Sequence, residues 1–245
     1  SLHGSHNIGA PDLNWAMPEV KIGFFPDVGI SHYLARCQEM LGWYLALSGR
    51  SITAADANNM DILTHVIDQT QWQPVIDALL NTPLGTCPDT SVTDILNTFH
   101  SPQPTTELVE HIPSIRRCFS QDTLADIIDA LTLEATPFSD TILTELQQHA
   151  PLSLCVTFEQ LCRAGNLTVN DALKQDLQLS RHFMQGHDFA EGVRALIQDK
   201  DQQPQWQHPS IDGIDHTLVD NYFSSIIRST IILLKCLQEQ SQLFE

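Results

Sequence analysis

The segment "MPEVKIGFFPDVG", residues 17 to 29, places two acidic residues in otherwise apolar sequence. Glu19 and Asp27 lie eight positions apart, and each directly follows a proline. Proline fixes its own φ angle, so the backbone that leads into the next residue is restricted. Two carboxyl groups in an apolar environment can have different pKa values, which suits them to activating water and transferring a proton. The segment therefore predicts an acid–base site.

The same segment has a second interpretation that involves no chemistry. If a helix begins at "PDVG", the Asp27 carboxylate lies near free N–H groups and the positive end of the helix dipole, which favours its ionised form. Asp27 would then only cap the helix, and Glu19 would be a surface acid. The residues alone leave both interpretations open.

Composition describes a folded protein with an acidic surface. The 245 residues are 42% hydrophobic and 17% charged, and the net charge is −18. This charge argues against nucleic acid or an anionic membrane as a partner, although a few local basic groups could still bind a small anion. The longest apolar stretch, "TIILL", is far shorter than the roughly 20 residues that a membrane-spanning helix needs.

Cysteine and histidine spacing indicates neither disulfides nor a metal site. The six cysteines contain no Cys-x-x-Cys pair, so we expect them to be reduced, as in a cytosol-like compartment. The opening "SLHGSHNIGAPDLN" has neither the basic nor the apolar region of a signal peptide. The histidines lack metal-ligand spacing. Ser31 and His32 are adjacent, and sequence neighbours rarely form a nucleophile–base pair.

Residues 1–81 alternate short strands and helices. "LNWAM" predicts a buried strand that Pro18 ends, and the spacing from Ile30 to Cys37 predicts a helix. "GWYLALSGR" predicts a second helix that Gly49 ends, and Thr53 is the expected N-cap of a third. "LTHVID" predicts a strand.

Residues 82–104, rich in proline and threonine, predict a flexible link, and residues 105–245 predict a helical region. Pro151 suits the first turn of a helix that runs to about Arg163. Thr168 with Asp171, and Asp188 with Glu191, have the spacing of capping boxes. The tail "NYFSSIIRSTIILLKCL" predicts an amphipathic helix that covers exposed core or makes an oligomer contact. Its apolar face comprises Phe223, Ile226, Ile227, Ile231 and Leu234.

"AMPEVKIGFFPDVGISHYLAR", followed by "GWYLALSGRSITAADANNMDILTHVI", resembles the second half of the crotonase, or enoyl-CoA hydratase/isomerase, superfamily. "FPDVG", "APLSLCVT" and "DFAEGVRALIQDKDQQPQW" are similar to its 3-hydroxyisobutyryl-CoA hydrolase branch. The resemblance implies an α/β crotonase-like (ββα spiral) remnant in residues 1–81, followed by a mostly helical C-terminal region. Where the family often has a second glycine, this chain has Ile30.

The resemblance implies a thioester hydrolase that acts on a short branched 3-hydroxyacyl-CoA in valine breakdown. Glu19 and Asp27 would be its catalytic pair, without an assignment of which acid activates water. The residues expected to bind the acyl group are Phe24, Phe25, Val28, Gly29 and Ile30. Coenzyme A would be part of the substrate, with no separate cofactor and no metal. The expected location is cytoplasmic, or the mitochondrial matrix in a eukaryote. The superfamily favours homo-oligomers, although its hydrolase branch is sometimes monomeric.

In this family two backbone N–H groups stabilise the developing oxyanion, and they lie upstream of a stretch like "SLHG", where this chain opens. We therefore interpret the chain as a C-terminal portion whose activity in isolation is weak or absent. Two alternatives remain, namely an enoyl-CoA hydratase or isomerase, and a non-catalytic fragment that acts as a helical assembly piece.

Overall fold

Short helices dominate the chain, and they follow the capping signals closely. The computed structural model describes residues 4–83, 85–104 and 106–224. The α helices are α1 (Ser31–Leu34), α2 (Leu41–Ser48), α3 (Ala54–Asn59), α4 (Trp72–Asn81), α5 (Pro88–Asn97), α6 (Glu107–Phe119), α7 (Leu124–Glu134), α8 (Pro137–Gln148), α9 (Pro151–Ala164), α10 (Val169–Phe183), α11 (His187–Val193) and α12 (His216–Tyr222). Short 3₁₀ helices cover Glu19–Ile22, Gln38–Met40, Gln69–Gln71 and Ile211–Gly213, and α11 continues as a π-helix over Arg194–Gln198.

The described residues contain four strands of two residues each, and these strands form two separate pairs. β1 (Ile8–Gly9) pairs in parallel with β4 (His65–Val66), with Ile8 opposite His65. β2 (Asn14–Trp15) pairs antiparallel with β3 (Ile52–Thr53). The predicted strand in "LNWAM" therefore exists, but it ends at Trp15 rather than Pro18. It is also not buried, because it pairs with β3 alone and Asn14 is exposed.

Several helix ends confirm the sequence predictions. Gly49 ends α2 in the left-handed conformation, φ 60°, and its N–H donates to the carbonyl of Leu45. Thr53 caps α3 through a reciprocal capping box with Asp56. Pro151 occupies the first turn of α9, and the Thr168 side chain accepts from the N–H of Asp171.

The predicted capping box at Asp188 is wrong. Gly186 is the residue before α11, and no side chain caps this helix end. Asp188 instead lies inside the helix and accepts from the backbone N–H of Gln207 at 2.7 Å. Glu191 binds the Arg194 guanidinium, with 2.8 Å between Oε1 and Nη2. Both acids bind groups that follow α11 in the chain. The spacing of the two acids does not reveal these partners.

The described residues divide into two compact units. The domain boundaries predicted at residues 82 and 104 stay a prediction. Among the described residues, the first contains residues 4–18 and 33–144, apart from 84 and 105, and the second contains residues 19–32 and 145–224. In the first unit the expected link contains α5, and Leu96 of this helix is buried with Ile67 and Val75.

The core of the second unit brings residues from distant parts of the sequence together. Its buried members are Phe25, Leu152, Val156, Leu179, Phe183 and Val219. Phe223 packs against this cluster, and the Arg163 guanidinium lies 4.0 Å from its ring centroid. The other residues of the predicted tail face, Ile226, Ile227, Ile231 and Leu234, lie outside the described residues. Within the described residues, no helix combines the length and apolar character needed to cross a membrane.

Candidate active site

Glu19 is the first residue of a 3₁₀ helix that packs unusually close to α11 in the second unit. A Cβ at Gly192 would lie 2.2 Å from the Ile22 carbonyl oxygen, and one at Gly23 would lie 2.4 Å from that of Asp188. Gly23 also has φ 71°, a conformation that favours glycine. The two glycines thus allow backbone contact that holds the start of the segment in place.

The Glu19 carboxyl group is largely removed from water. Its Oε2 atom is buried and has no hydrogen-bond partner among the residues that the structure describes. Burial raises the pKa of Glu19 from its ordinary value of 4.5 to about 7, a backbone hydrogen bond opposes the change, and the Asp27 charge adds to it. A carboxyl group with this pKa can both accept and donate a proton near neutral pH. This environment excludes the interpretation of Glu19 as a surface acid.

Asp27 lies in the turn that precedes α1, rather than at the cap of that helix. The N–H of Ile30 donates to the Asp27 carbonyl at 3.2 Å, and α1 begins only at Ser31 and spans four residues. Burial raises the pKa of Asp27, and a backbone hydrogen bond only partly opposes this. The prediction that a helix dipole favours the ionised form is therefore wrong, because α1 is too short and too far along the chain.

The turn between Asp27 and α1 contains two successive residues with positive φ. Val28 has φ 56° and Gly29 has φ 75°. Glycine adopts this conformation readily, whereas a β-branched residue rarely does. Val28 is 59% exposed, while Gly29 is buried. The backbone here is therefore strained at Val28 next to the Asp27 carboxylate.

A third acid, Asp176 of α10, completes this part of the site. The N–H of Gly29 donates to its Oδ2 at 2.6 Å, and Gln160 Nε2 donates to its Oδ1 at 3.0 Å. Burial raises the pKa of Asp176 to about 6, these two hydrogen bonds oppose the change, and the Asp27 charge adds to it. Sequence reasoning missed this residue.

A signal for Asp176 existed in the helical pattern. The residue shares the buried face of α10 with Ala172, Leu179 and Phe183, which lie at helical spacing around it. An acid on the apolar face of an amphipathic helix needs hydrogen-bond partners in the interior.

The five residues predicted to contact an acyl group are distributed between core and surface. Phe25 is fully buried, and Phe183 is 5.3 Å from it between ring centroids. Phe24 is half-buried, 4.8 Å from the Phe189 ring. Ile30 is buried and Val28 is the most exposed of the five. The phenylalanines thus anchor the segment that carries the acids, and acyl contact by the five stays a prediction.

A polar groove of about 620 Å³ in the same unit is lined by Lys21, two positions from Glu19. Gln148 and Trp206 are among its other lining residues, whereas Glu19 and Asp27 do not line it. Among the described residues, no group of three His, Cys, Asp or Glu side chains could hold a metal ion.

Comparison with known proteins assigns the chain to a family. The family model described as enoyl-CoA hydratase/isomerase matches residues 1–223. The chain belongs to the enoyl-CoA hydratase/isomerase family. Solved members of similar structure include a carnitinyl-CoA dehydratase from Mycobacterium thermoresistibile, with a TM-score of 0.80 and 30% identity over 92% of this chain and 63% of that chain. An enoyl-CoA hydratase from Rhodobacter sphaeroides 2.4.1 has a TM-score of 0.78 and 28% identity over 92% and 64%.

Several curated relatives are named 3-hydroxyisobutyryl-CoA hydrolase. The mitochondrial 3-hydroxyisobutyryl-CoA hydrolase of Homo sapiens is 32% identical over 231 residues, which cover 92% of this chain and 59% of the relative. That of Dictyostelium discoideum is 34% identical over 230 residues, which cover 92% and 60%. The chain thus spans about 60% of the length of the curated relatives it matches. The crotonase-type fold and the predominance of helix agree with the sequence prediction.

Proposed function

We propose that the protein containing this chain is an acyl-CoA thioester hydrolase of the 3-hydroxyisobutyryl-CoA type. The observation that carries the proposal is the Glu19 carboxyl, buried without a hydrogen-bond partner for Oε2 in the described structure, with a pKa of about 7 beside Asp27. The names of the curated relatives supply the substrate class. The mitochondrial location of those relatives supports the matrix as its place in a eukaryote. The family resemblance implies valine breakdown as its pathway.

Hydrolysis of a thioester requires one proton to leave the attacking water and one proton to reach the departing sulfur. The water oxygen forms a bond to the carbonyl carbon, and the carbon–sulfur bond then breaks to release the CoA thiol. Near neutral pH Glu19 populates both protonation states, so it can accept the first proton and return it to the sulfur. The charge of Asp27 adds to the raised pKa of Glu19, and in this proposal Asp27 orients the water.

Stabilisation of the oxyanion is assigned to backbone N–H groups upstream of this chain, following the family resemblance. Loss of one such donor typically lowers the rate by about 100- to 1,000-fold. We therefore expect weak or no turnover from residues 1–245 alone.

The test is release of free CoA thiol from (S)-3-hydroxyisobutyryl-CoA, measured for this chain and for a version extended upstream to the length of the relatives. Glu19→Gln and Asp27→Asn in the extended version should each lower kcat by at least about 100-fold, as expected for loss of a general acid–base group. Asp212→Asn removes an exposed carboxylate of the same unit and should leave kcat unchanged. Full activity of both acid variants would contradict the proposed roles.

A second candidate is hydration of an enoyl-CoA, because the structural neighbours are named a dehydratase and a hydratase. The extended version and its Glu19→Gln variant should be assayed on crotonyl-CoA by loss of the enoyl absorbance. Hydration without thiol release would replace the hydrolase proposal with this one. Silence in both assays would favour the non-catalytic alternative.

A further inference from the structure

The turn that carries Asp27 is held at two points by side chains from distant helices. Gln160 of α9 donates from Nε2 to the Pro26 carbonyl at 2.9 Å, immediately before Asp27. Asp176 of α10 accepts from the N–H of Gly29 at 2.6 Å, two positions after it. The same Gln160 nitrogen donates to Asp176, so the two holding groups are joined. The backbone on both sides of Asp27 is therefore tied to one buried network.

The turn requires these hydrogen bonds because its own backbone conformation is unfavourable. Val28 has φ 56° and is β-branched, a combination that is energetically unfavourable. Val28 is 59% exposed, so its burial contributes little to opposing the strain. A strained conformation persists only where the surroundings determine it, and here the hydrogen bonds of Gly29 and Pro26 lie on either side.

A carboxylate is the group that can hold both partners. Asp176 is 4% exposed, and each of its oxygens accepts a hydrogen bond from a different donor. An asparagine at this place has one oxygen and one NH₂ group, so either Gly29 or Gln160 would face a donor. Burying a carboxylate is unfavourable in itself, and an apolar residue would pack on this face of α10 at lower cost.

We infer that Asp176 is a positioning residue that fixes the direction of the Asp27 carboxylate through the Gly29 N–H. The inference rests on the proposed function for its catalytic consequence, but the hold on the turn exists independently of it. A displacement of about 1 Å in a catalytic group can lower the rate by about 100-fold. Asp176→Asn should therefore lower kcat by about 10- to 100-fold and change KM by less than about threefold.

The experiment uses the extended protein and three readouts for Asp176→Asn. They are kcat and KM for thioester hydrolysis, hydrogen exchange at the Gly29 amide, and the activity lost when the same substitution is made in an Asp27→Asn variant. The inference expects a fall in kcat, faster exchange at Gly29, and no further loss of activity where Asp27 is already changed. An equal loss in the Asp27→Asn background would indicate general damage and overturn it.

Asp171→Asn is the matched control on the same helix. Asp171 is partly exposed and belongs to the α10 N-terminal cap, so the substitution should lower stability without changing kcat. If Asp176→Asn does not fold, Gln160→Leu removes the other half of the network and should lower kcat similarly. Unchanged kcat in that variant would overturn the inference.

Failure of the proposed function gives a different result. If the unaltered extended protein hydrolyses no thioester, the hydrolase proposal falls, and Gly29 exchange alone decides the role of Asp176. Faster exchange in Asp176→Asn would then support the hold on the turn, and unchanged exchange would overturn it.

Discussion

The raised pKa of Glu19 predicts that this one residue makes the folded protein less stable as the pH rises. The unfolded chain should ionise Glu19 near the ordinary value of 4.5, whereas the folded protein ionises it near 7. Between these values the folded state binds more protons than the unfolded state, so the free energy of unfolding falls as the pH increases. Below 4.5 both states are protonated and the penalty is absent. Above 7 it is complete.

The size of the effect follows from the pKa difference and the partial exposure of the side chain. A pKa raised from 4.5 to about 7 corresponds to about 3 kcal/mol, at about 1.4 kcal/mol for each pH unit. Because Glu19 retains some contact with water, solvent screening reduces the expected value to about 2 kcal/mol. Glu19→Gln cannot ionise and resembles the protonated acid in shape. The free energy of unfolding of the Glu19→Gln variant, minus that of the unaltered chain, should increase by about 2 kcal/mol between pH 4.5 and pH 8.

The assay is urea unfolding of both proteins at several pH values across this range, with the comparison made at each pH so that other titrating groups cancel. Glu191→Gln is the matched control, since the Arg194 guanidinium lowers the pKa of Glu191 to about 2. Its stabilising effect is complete above the unfolded value and is lost only as the pH falls from about 4.5 towards 2. The control difference should stay constant between pH 5 and pH 8. If the difference in unfolding free energy between Glu19→Gln and the unaltered chain is equally constant, Glu19 is not buried with a raised pKa and the reasoning is refuted.

Three further predictions concern packing and thiol chemistry. Gly192→Ala should destabilise the chain by about 1–3 kcal/mol in urea unfolding, because its Cβ would overlap a carbonyl oxygen of the first 3₁₀ helix, whereas Gly213→Ala, with nothing within 4 Å, should change little. Phe183→Ala should cost about 3–5 kcal/mol, since this ring is buried in the core of the second unit, and a smaller loss would show that the cavity collapses. At pH 8 a thiol reagent with peptide mapping should label exposed Cys87 well before Cys155, whose pKa burial raises to about 12, and the reverse order would contradict this burial.

Much of the local structure could be predicted from the chain alone because it depends on a few neighbouring residues. Gly49 ends α2 because glycine readily adopts the left-handed conformation at a helix C-terminus. Thr53 forms its capping box with Asp56, only three residues later. The capping box assigned to Asp188 failed for the opposite reason. Its carboxylate is used by Gln207, which lies 19 positions away and gives no local signal.

The family, the predominance of helix and the two acids Glu19 and Asp27 are recognisable from the chain alone, since each depends on residue types at short spacings. The protonation state of those acids depends on the folded protein. Burial raises the pKa of both, against the prediction that a helix dipole would keep Asp27 ionised. Only the fold, too, brings Asp176 to Gly29 across 147 positions of sequence. Desolvation and long-range hydrogen bonds depend on which surfaces meet after folding, and no local pattern encodes that meeting.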